Sequence, residues 1–214
     1  MYWIWKNYHD AEYVGLTQYR RQFAEKFTAE NIDGFFADGT DVILAKKYFR
    51  PHNRFWALLT YIQAEDFLIL KGVLRKLYPE YMPSFNRFLR GYVDHPFNMV
   101  ICRKELYNEY ASWVFSICDE MEKYVMYSGY TNSSRLFGYI IEFLTPLYFL
   151  HNKFKIKEMQ VLLAGSPIET TMINKVRKFV LQNTIYRLTK NIPISMDASI
   201  ARGLNRDGIC LDFD

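Results

Sequence analysis

The chain has 214 residues, of which half are hydrophobic and 23% charged, and its net charge is +4. That balance buries a substantial core in one domain of ordinary size, and it excludes a disordered chain, a collagen-like repeat and a disulfide-stapled miniprotein. The positive charge is local: Thr170–Lys190 holds five basic residues and no acid, so the remainder is close to neutral, too narrow a basic field for a nucleic-acid module.

In chain order, Tyr2–Tyr8 reads as the end of a helix, and Glu12–Leu16 as a short buried strand of β-forming residues. Asp33–Thr40, with two glycines and two aspartates before its closing threonine, reads as a loop before a second strand at Asp41–Leu44. Apolar residues recur at helical spacing from Arg54 to Leu77, where Pro79 ends the run, and a shorter helix follows at Met82–Leu89. Phe97–Cys102 is the third predicted strand. Lys104–Tyr124 is amphipathic, with Leu106, Tyr110, Trp113, Val114, Ile117 and Met121 on one face. The most apolar stretch, between Arg135 and Lys153, contains Glu142 and Pro146 and is short for a membrane span; it reads as a buried helix from Ser134 to about His151. Lys155–Leu163 suits a last strand, and Met172–Leu188 a terminal helix. Strands alternating with long helices imply a helix-rich α/β layered domain with a largely parallel or mixed sheet over residues 1–165. Residues 166–214 then form a basic amphipathic helix and tail.

Ligands of such folds bind beyond the carboxyl ends of strands. That rule places Arg20, Arg21, Lys46, Lys47, Arg50, Arg103 and Lys104 along one cationic rim suited to a phosphate or diphosphate. Tyr19-Arg20-Arg21 would grip a diphosphate through its guanidiniums while Tyr19 stacks on a base or sugar; the competing reading is a solvated turn. His95 would serve as a proton donor or base and Asn98 would bond a sugar hydroxyl, against a plain structural role for a lone histidine. Glu142, on an apolar helix, needs a partner such as Arg135 or a cavity wall; a raised pKa would suit it to general-base work, and a salt bridge is the alternative. Asp66 lies on an aromatic-rich helix and would bind sugar hydroxyls. No HxxxH, CxxC, GxGxxG, Walker A or GxSxG occurs. Asp212-Phe213-Asp214 matches the DxD pattern that grips diphosphate-bound Mn²⁺ or Mg²⁺, but at a terminus expected to fray. No metal ligand is assigned. Lys175, Arg177, Lys178, Arg187 and Lys190 flank the apolar residues of the last helix and would favour an anionic membrane surface over simple packing on the domain. Three cysteines without CxxC spacing, and no secretory leader ahead of Tyr2, suit free thiols in a reducing cytoplasm.

Several of these pieces follow one another in a recognisable order: Tyr2-Trp3-Ile4-Trp5-Lys6-Asn7, Tyr13-Val14-Gly15-Leu16 leading to Tyr19-Arg20-Arg21, Asp41-Val42-Ile43-Leu44, Tyr78-Pro79-Glu80-Tyr81, Phe97-Asn98-Met99 through Leu106, Trp113, and Arg135 through Gly138 to Glu142. From Tyr2 to Leu163 the sequence resembles a family of bacterial capsular-polysaccharide and lipopolysaccharide biosynthesis proteins, catalogued as a domain of unknown function and regarded as glycosyltransferases of GT-A-like fold. Gln18 stands where the family usually has histidine, Glu142-Phe143-Leu144 where many members have Glu-Arg-Leu, and the family's usual upstream strand is lacking, which is the pattern of an N-terminally truncated member. The resemblance implies a hexosyl transfer from a nucleotide diphosphate sugar, a UDP-hexose, to a lipid-linked glycan at the inner face of the membrane. Arg20 and Arg21 would neutralise the leaving group, Tyr19 would stack, Glu142 or Asp66 would be the base, and His95 and Asn98 would position sugars. The alternative is a non-catalytic relative that binds glycan or a complementary chain.

Overall fold

The computed structural model describes residues 1–125, 135–163 and 172–213. Four strands form the main sheet: β1 (Tyr13–Leu16), β3 (Val42–Ala45), β6 (Val100–Arg103) and β7 (Ile156–Met159), in the order β1-β6-β3-β7. Its β1–β6 and β6–β3 pairs are antiparallel, and β3–β7 is parallel. The sheet is therefore mixed. All four residues of β3 are buried because the strand is covered on both faces. Val42 and Leu44 enter the large helical core, while Ile43 joins Phe23, Phe36, Met99, Ile101 and Met159 in a smaller core on the other face.

Helices α4 (Ala64–Leu77), α5 (Met82–Leu89), α6 (Lys104–Val125) and α7 (Leu136–His151) build the large core, with α1 (Tyr2–Asn7) laid against α6. The stripe read from Leu106 to Met121 is the buried side of α6, and the apolar stretch after Arg135 is a packed helix, as its length suggests. Pro146 lies inside α7 and has no N–H to offer the carbonyl of Glu142 one turn earlier.

Several elements differ from the sequence reading. The Arg54–Leu77 run divides into α3 (Arg54–Leu58) and α4, with Asn53 capping α3 by accepting from the Trp56 N–H at 3.0 Å. Asp33–Thr40 contains a short helix, α2 (Ile32–Phe36). Lys155–Leu163 is two strands: β7 stays in the main sheet, and β8 (Val161–Leu163) pairs antiparallel with β2 (Arg21–Phe23) in a separate ribbon. An antiparallel ribbon too short to show any periodicity, β4 (Tyr48–Phe49) with β5 (Val93–Asp94), is separate from the main sheet. Helix α8 (Met172–Thr189) and α9 (Ala198–Arg206) complete the chain. The predicted start of α7 at Ser134 and the boundary at 165/166 lie outside the described residues.

The C-terminal tail does not fray. Leu204, Ile209 and Phe213 are part of the large core, the Lys71 ammonium donates to the Phe213 carbonyl at 2.6 Å, and Arg75 pairs with Asp212 at 2.8 Å. This approach needs Gly72, where a Cβ would sit 2.8 Å from the Leu211 Cβ and 3.4 Å from the Asp212 carbonyl. Gly72→Ala therefore costs roughly 1–3 kcal/mol of overpacking, partly offset by better helix propensity. The expected outcome is a melting point lower by about 2–6 °C. A calorimetric scan showing equal or higher stability would rule out close docking of the tail.

Candidate active site

A cleft of about 280 Å³ opens between the start of β2, the β4–β5 ribbon, α3 and α7. Its walls carry four guanidiniums, Arg21, Arg50, Arg54 and Arg135, and two carboxylates, Asp94 and Glu142, with the rings of Tyr61, Phe97, Tyr139 and Phe143 around them.

Arg21 is the first residue of β2, whereas Arg20 belongs to the turn before it. Gln18 accepts a hydrogen bond from the Arg21 guanidinium, which also lies 4.0 Å from the centroid of the Phe97 ring. Arg20 and Tyr19 do not line the cleft: Tyr19 is 88% exposed, and Arg20 lies over its ring at 4.9 Å. Two residues of the Tyr-Arg-Arg motif form a solvated turn and the third is cleft wall.

Asp94 holds two of the other cations, with Arg50 Nε at 2.9 Å from one oxygen and Arg54 Nε at 3.5 Å from the other. Arg54 is buried, donates to the Phe88 carbonyl at 3.0 Å and stacks on the Phe88 ring at 3.8 Å. Desolvation lowers its pKa from the usual arginine value, and Asp94 opposes that effect. Its seat exists because residue 91 is glycine; a Cβ there would collide with the guanidinium.

Glu142 is half-buried, and its Oε1 accepts from the Phe97 N–H at 3.1 Å. Burial raises its pKa above the ordinary glutamate value; the Phe97 N–H, Arg50 and Arg21 pull it back, and Asp94 adds to the rise. Phe97 has φ of 68°, a left-handed conformation that costs a bulky residue of order 1–3 kcal/mol. The strained residue supplies the Glu142 hydrogen bond and the ring under Arg21, so the strain sits where the charged groups meet. At the rim, Tyr61 and Tyr139 stack at 5.0 Å, and Arg135 lies 5.4 Å from the Tyr139 ring centroid.

The remaining predicted residues lie elsewhere. Because β6 runs antiparallel to β1 and β3, its carboxyl end emerges at the opposite end of the sheet, which corrects the single cationic rim. Arg103 pairs there with Glu12 at 2.6 Å, and buried Lys104 donates to the Ile4 carbonyl at 3.3 Å. His95 is buried, with Nδ1 2.8 Å from the Ala45 carbonyl and Nε2 3.9 Å from Glu158, tying β3 to the loop before Phe97. Asn98 donates to the Met1 sulfur and accepts from Thr145 Oγ1 beneath α7. Asp66 is fully buried in α4 and does not line the cleft, and Lys46 is exposed at the sheet edge. Among the cleft residues absent from the motif reading are Arg54, Tyr61, Asp94, Phe97 and Tyr139; only the placing of Arg50 after a strand hinted at the β4–β5 ribbon.

The cleft does not offer a metal site. Both Asp94 oxygens face guanidiniums and Glu142 stands among cations, a donor set that would not hold Mn²⁺ or Mg²⁺. Among the described residues no group of three His, Cys, Asp or Glu side chains comes together, and Asp214 of the DxD match lies outside them.

No curated protein matches the sequence. Among solved structures, the fold is similar to the apo structure of WbbM, a bifunctional glycosyltransferase, with a TM-score of 0.59 and 24% identity over 79% of this chain. The match takes in 38% of the WbbM chain, so this protein spans well under half of that neighbour's length. The mixed sheet layered with helices is thus a GT-A-like α/β fold. A family model described as a domain of unknown function, DUF4422, matches residues 1–153, three of the four strands of the main sheet and every cleft residue among them, and the chain belongs to that family.

Proposed function

We propose that the protein is a glycosyltransferase that moves a hexosyl group from a nucleotide diphosphate sugar, a UDP-hexose, to a lipid-linked glycan in capsule, lipopolysaccharide or exopolysaccharide synthesis. The observation that carries this reading is one cleft holding four guanidiniums and a carboxylate whose pKa is raised. Arg21, Arg50 and Arg135 neutralise the diphosphate, with Asp94, itself paired to Arg54, holding Arg50 in place, so the leaving group is stabilised by fixed cations. The exposed face of Tyr61, backed by Tyr139, takes the stacking role first expected of Tyr19.

Glu142 is the base. Its carboxylate takes the proton of an acceptor hydroxyl as that oxygen bonds to the anomeric carbon; the bond from that carbon to the diphosphate oxygen breaks, and the nucleoside diphosphate leaves with the electron pair. Family membership and the GT-A-like fold support the reaction class, and the cleft supports the donor class.

Calorimetric titration with UDP and UDP-hexoses tests the proposal. Saturable binding with Kd of about 1 mM or tighter is expected, together with hexose transfer from one of the donors. A titration flat for every nucleotide sugar would overturn it, and binding without turnover would favour the non-catalytic alternative.

A further inference from the structure

A second groove, of about 630 Å³, shares no lining residue with the cleft. One side of α6, the C-terminal end of α7 and the 3₁₀ turn Pro79–Tyr81 meet there. Tyr78, Glu80, Tyr81 and Trp113 are among the ordered pieces that carry the family resemblance, yet they line this groove and not the cleft.

The floor is a set of rings locked together. Tyr81 stacks on His151 at 3.7 Å and on Trp113 at 4.9 Å, and Tyr148 packs on Trp113 at 5.1 Å. The Asn152 amide donates to the Tyr81 hydroxyl at 2.7 Å and to the Tyr148 carbonyl at 2.9 Å, and His151 Nδ1 lies 2.9 Å from Ser84 Oγ. A floor held this way has little rotamer freedom left to lose on binding.

Two atoms of the lining have no hydrogen-bond partner: Trp113 Nε1, on a residue only 5% exposed, and Asn108 Oδ1. Buried polar atoms are paired as a rule, and a buried indole N–H in particular finds an acceptor. One orphan is a donor and the other an acceptor, so their complement both accepts and donates. Phosphate oxygens only accept and an ammonium only donates, whereas a hydroxyl does both. The rest of the lining adds acceptors: the carboxylates of exposed Glu80 and Glu109, and the Asn152 oxygen, whose amide hydrogens are already used. Neither Lys nor Arg lines the groove, and burial, against the pull of Glu80, holds the His151 pKa below the ordinary histidine value. This is the reverse of the cleft and its four guanidiniums.

We propose that this groove binds neutral saccharide, with sugar hydroxyls accepting from Trp113 Nε1 and donating to Asn108 Oδ1 and to the rim carboxylates. A sugar ring brings several donors at once, whereas a peptide backbone brings one per residue and an acidic sugar meets two like charges. Neither orphan atom is open to solvent, so the exposed side chains of Glu109 and Ser112 change rotamer as the saccharide enters, an ordinary accompaniment of binding. The claim stands apart from the transferase reading, because no cleft residue takes part in it.

The test follows the indole N–H signals of the four tryptophans in ¹⁵N–¹H spectra of the full chain, with W113F identifying the signal of Trp113. Titration with trisaccharides of glucose, galactose and mannose should move that signal saturably for one of them, with Kd of about 10 mM or tighter. A trisaccharide of galacturonic acid should bind roughly tenfold more weakly or worse. N108A should weaken saccharide binding by roughly tenfold, with a melting point no lower than wild type, because it removes an orphan acceptor from a helix and improves helix propensity. A Trp113 signal that no saccharide moves at about 50 mM would overturn the proposal and leave trapped water as the groove's occupant. It would fall equally if N108A bound like wild type, or if a capped neutral tripeptide moved the signal as much as any sugar. N108A should keep the wild-type UDP titration; loss of saccharide binding in R21A would show that the two sites are one, and a flat UDP titration beside intact saccharide binding would sink the transferase reading alone.

Discussion

Arg21→Ala lowers kcat/KM for the nucleotide sugar by about 100-fold or more, while Arg20→Ala leaves it within about twofold. The two arginines are adjacent, equally charged and equally plausible in sequence, so the contrast isolates position. Arg21 lines the cleft, oriented by Gln18 and by the Phe97 ring, whereas Arg20 lies on an exposed tyrosine outside it. A guanidinium that neutralises a departing diphosphate acts most strongly in the transition state, so the loss should fall on kcat as well as KM. Arg21→Lys keeps the charge without the planar fork and is expected to recover only part of the loss. Equal effects of the two alanine variants on steady-state kinetics would show that electrostatic attraction at long range, and not the cleft, accounts for them.

Glu142→Gln separates activity from stability. As the base, Glu142 must be ionised, so wild-type kcat rises with pH through its raised pKa and levels above it; the glutamine variant loses about 10²–10⁴ in kcat while still binding UDP. The stability effect has the opposite sign. A carboxyl with a folded pKa above its unfolded value binds protons more tightly when folded. Its contribution is therefore fully present below the ordinary value of 4.5 and is lost as pH rises through the raised one. Glutamine does not titrate and can still accept from the Phe97 N–H. The variant should melt higher than wild type at pH 7–8, by on the order of 2 °C because solvent still screens half of the group, and the difference should vanish below about pH 4.5. Paired calorimetric scans at the two pH values check the sign; a variant less stable at pH 7 would show that the carboxylate is a structural anion and not a strained base. The same trade of stability for chemistry is visible in the left-handed backbone of Phe97 beside it.

Two residues that depart from the family pattern, Gln18 and Phe143, both line the cleft. Neither was a candidate by its own chemistry. Gln18 matters because it fixes Arg21, and Phe143 because it closes the wall against Phe85 and Phe88. Glu142 and Arg135 were readable in sequence because a charge inside an apolar helix, and one at its start, demand a cavity or a partner. His95, Asn98 and Lys104 carry equally suggestive chemistry and are absorbed by backbone carbonyls, a sulfur and a threonine hydroxyl in the packed interior.

By itself the sequence determined the α/β class, the long helices α4, α6 and α7, the apolar centre of the sheet and the family. Each of these is written in local periodicity or in an ordered string of residues. Only the tertiary structure decided which cations share a cleft. Strand direction depends on pairing between segments far apart in sequence: antiparallel β6 carries Arg103 and Lys104 to the opposite end of the sheet, and the β4–β5 ribbon brings Arg50 to Asp94 across 44 residues. The start of β2, set by its pairing with β8, then separates Arg21 from its neighbour Arg20, which stays in the preceding turn; no composition or spacing contains that boundary.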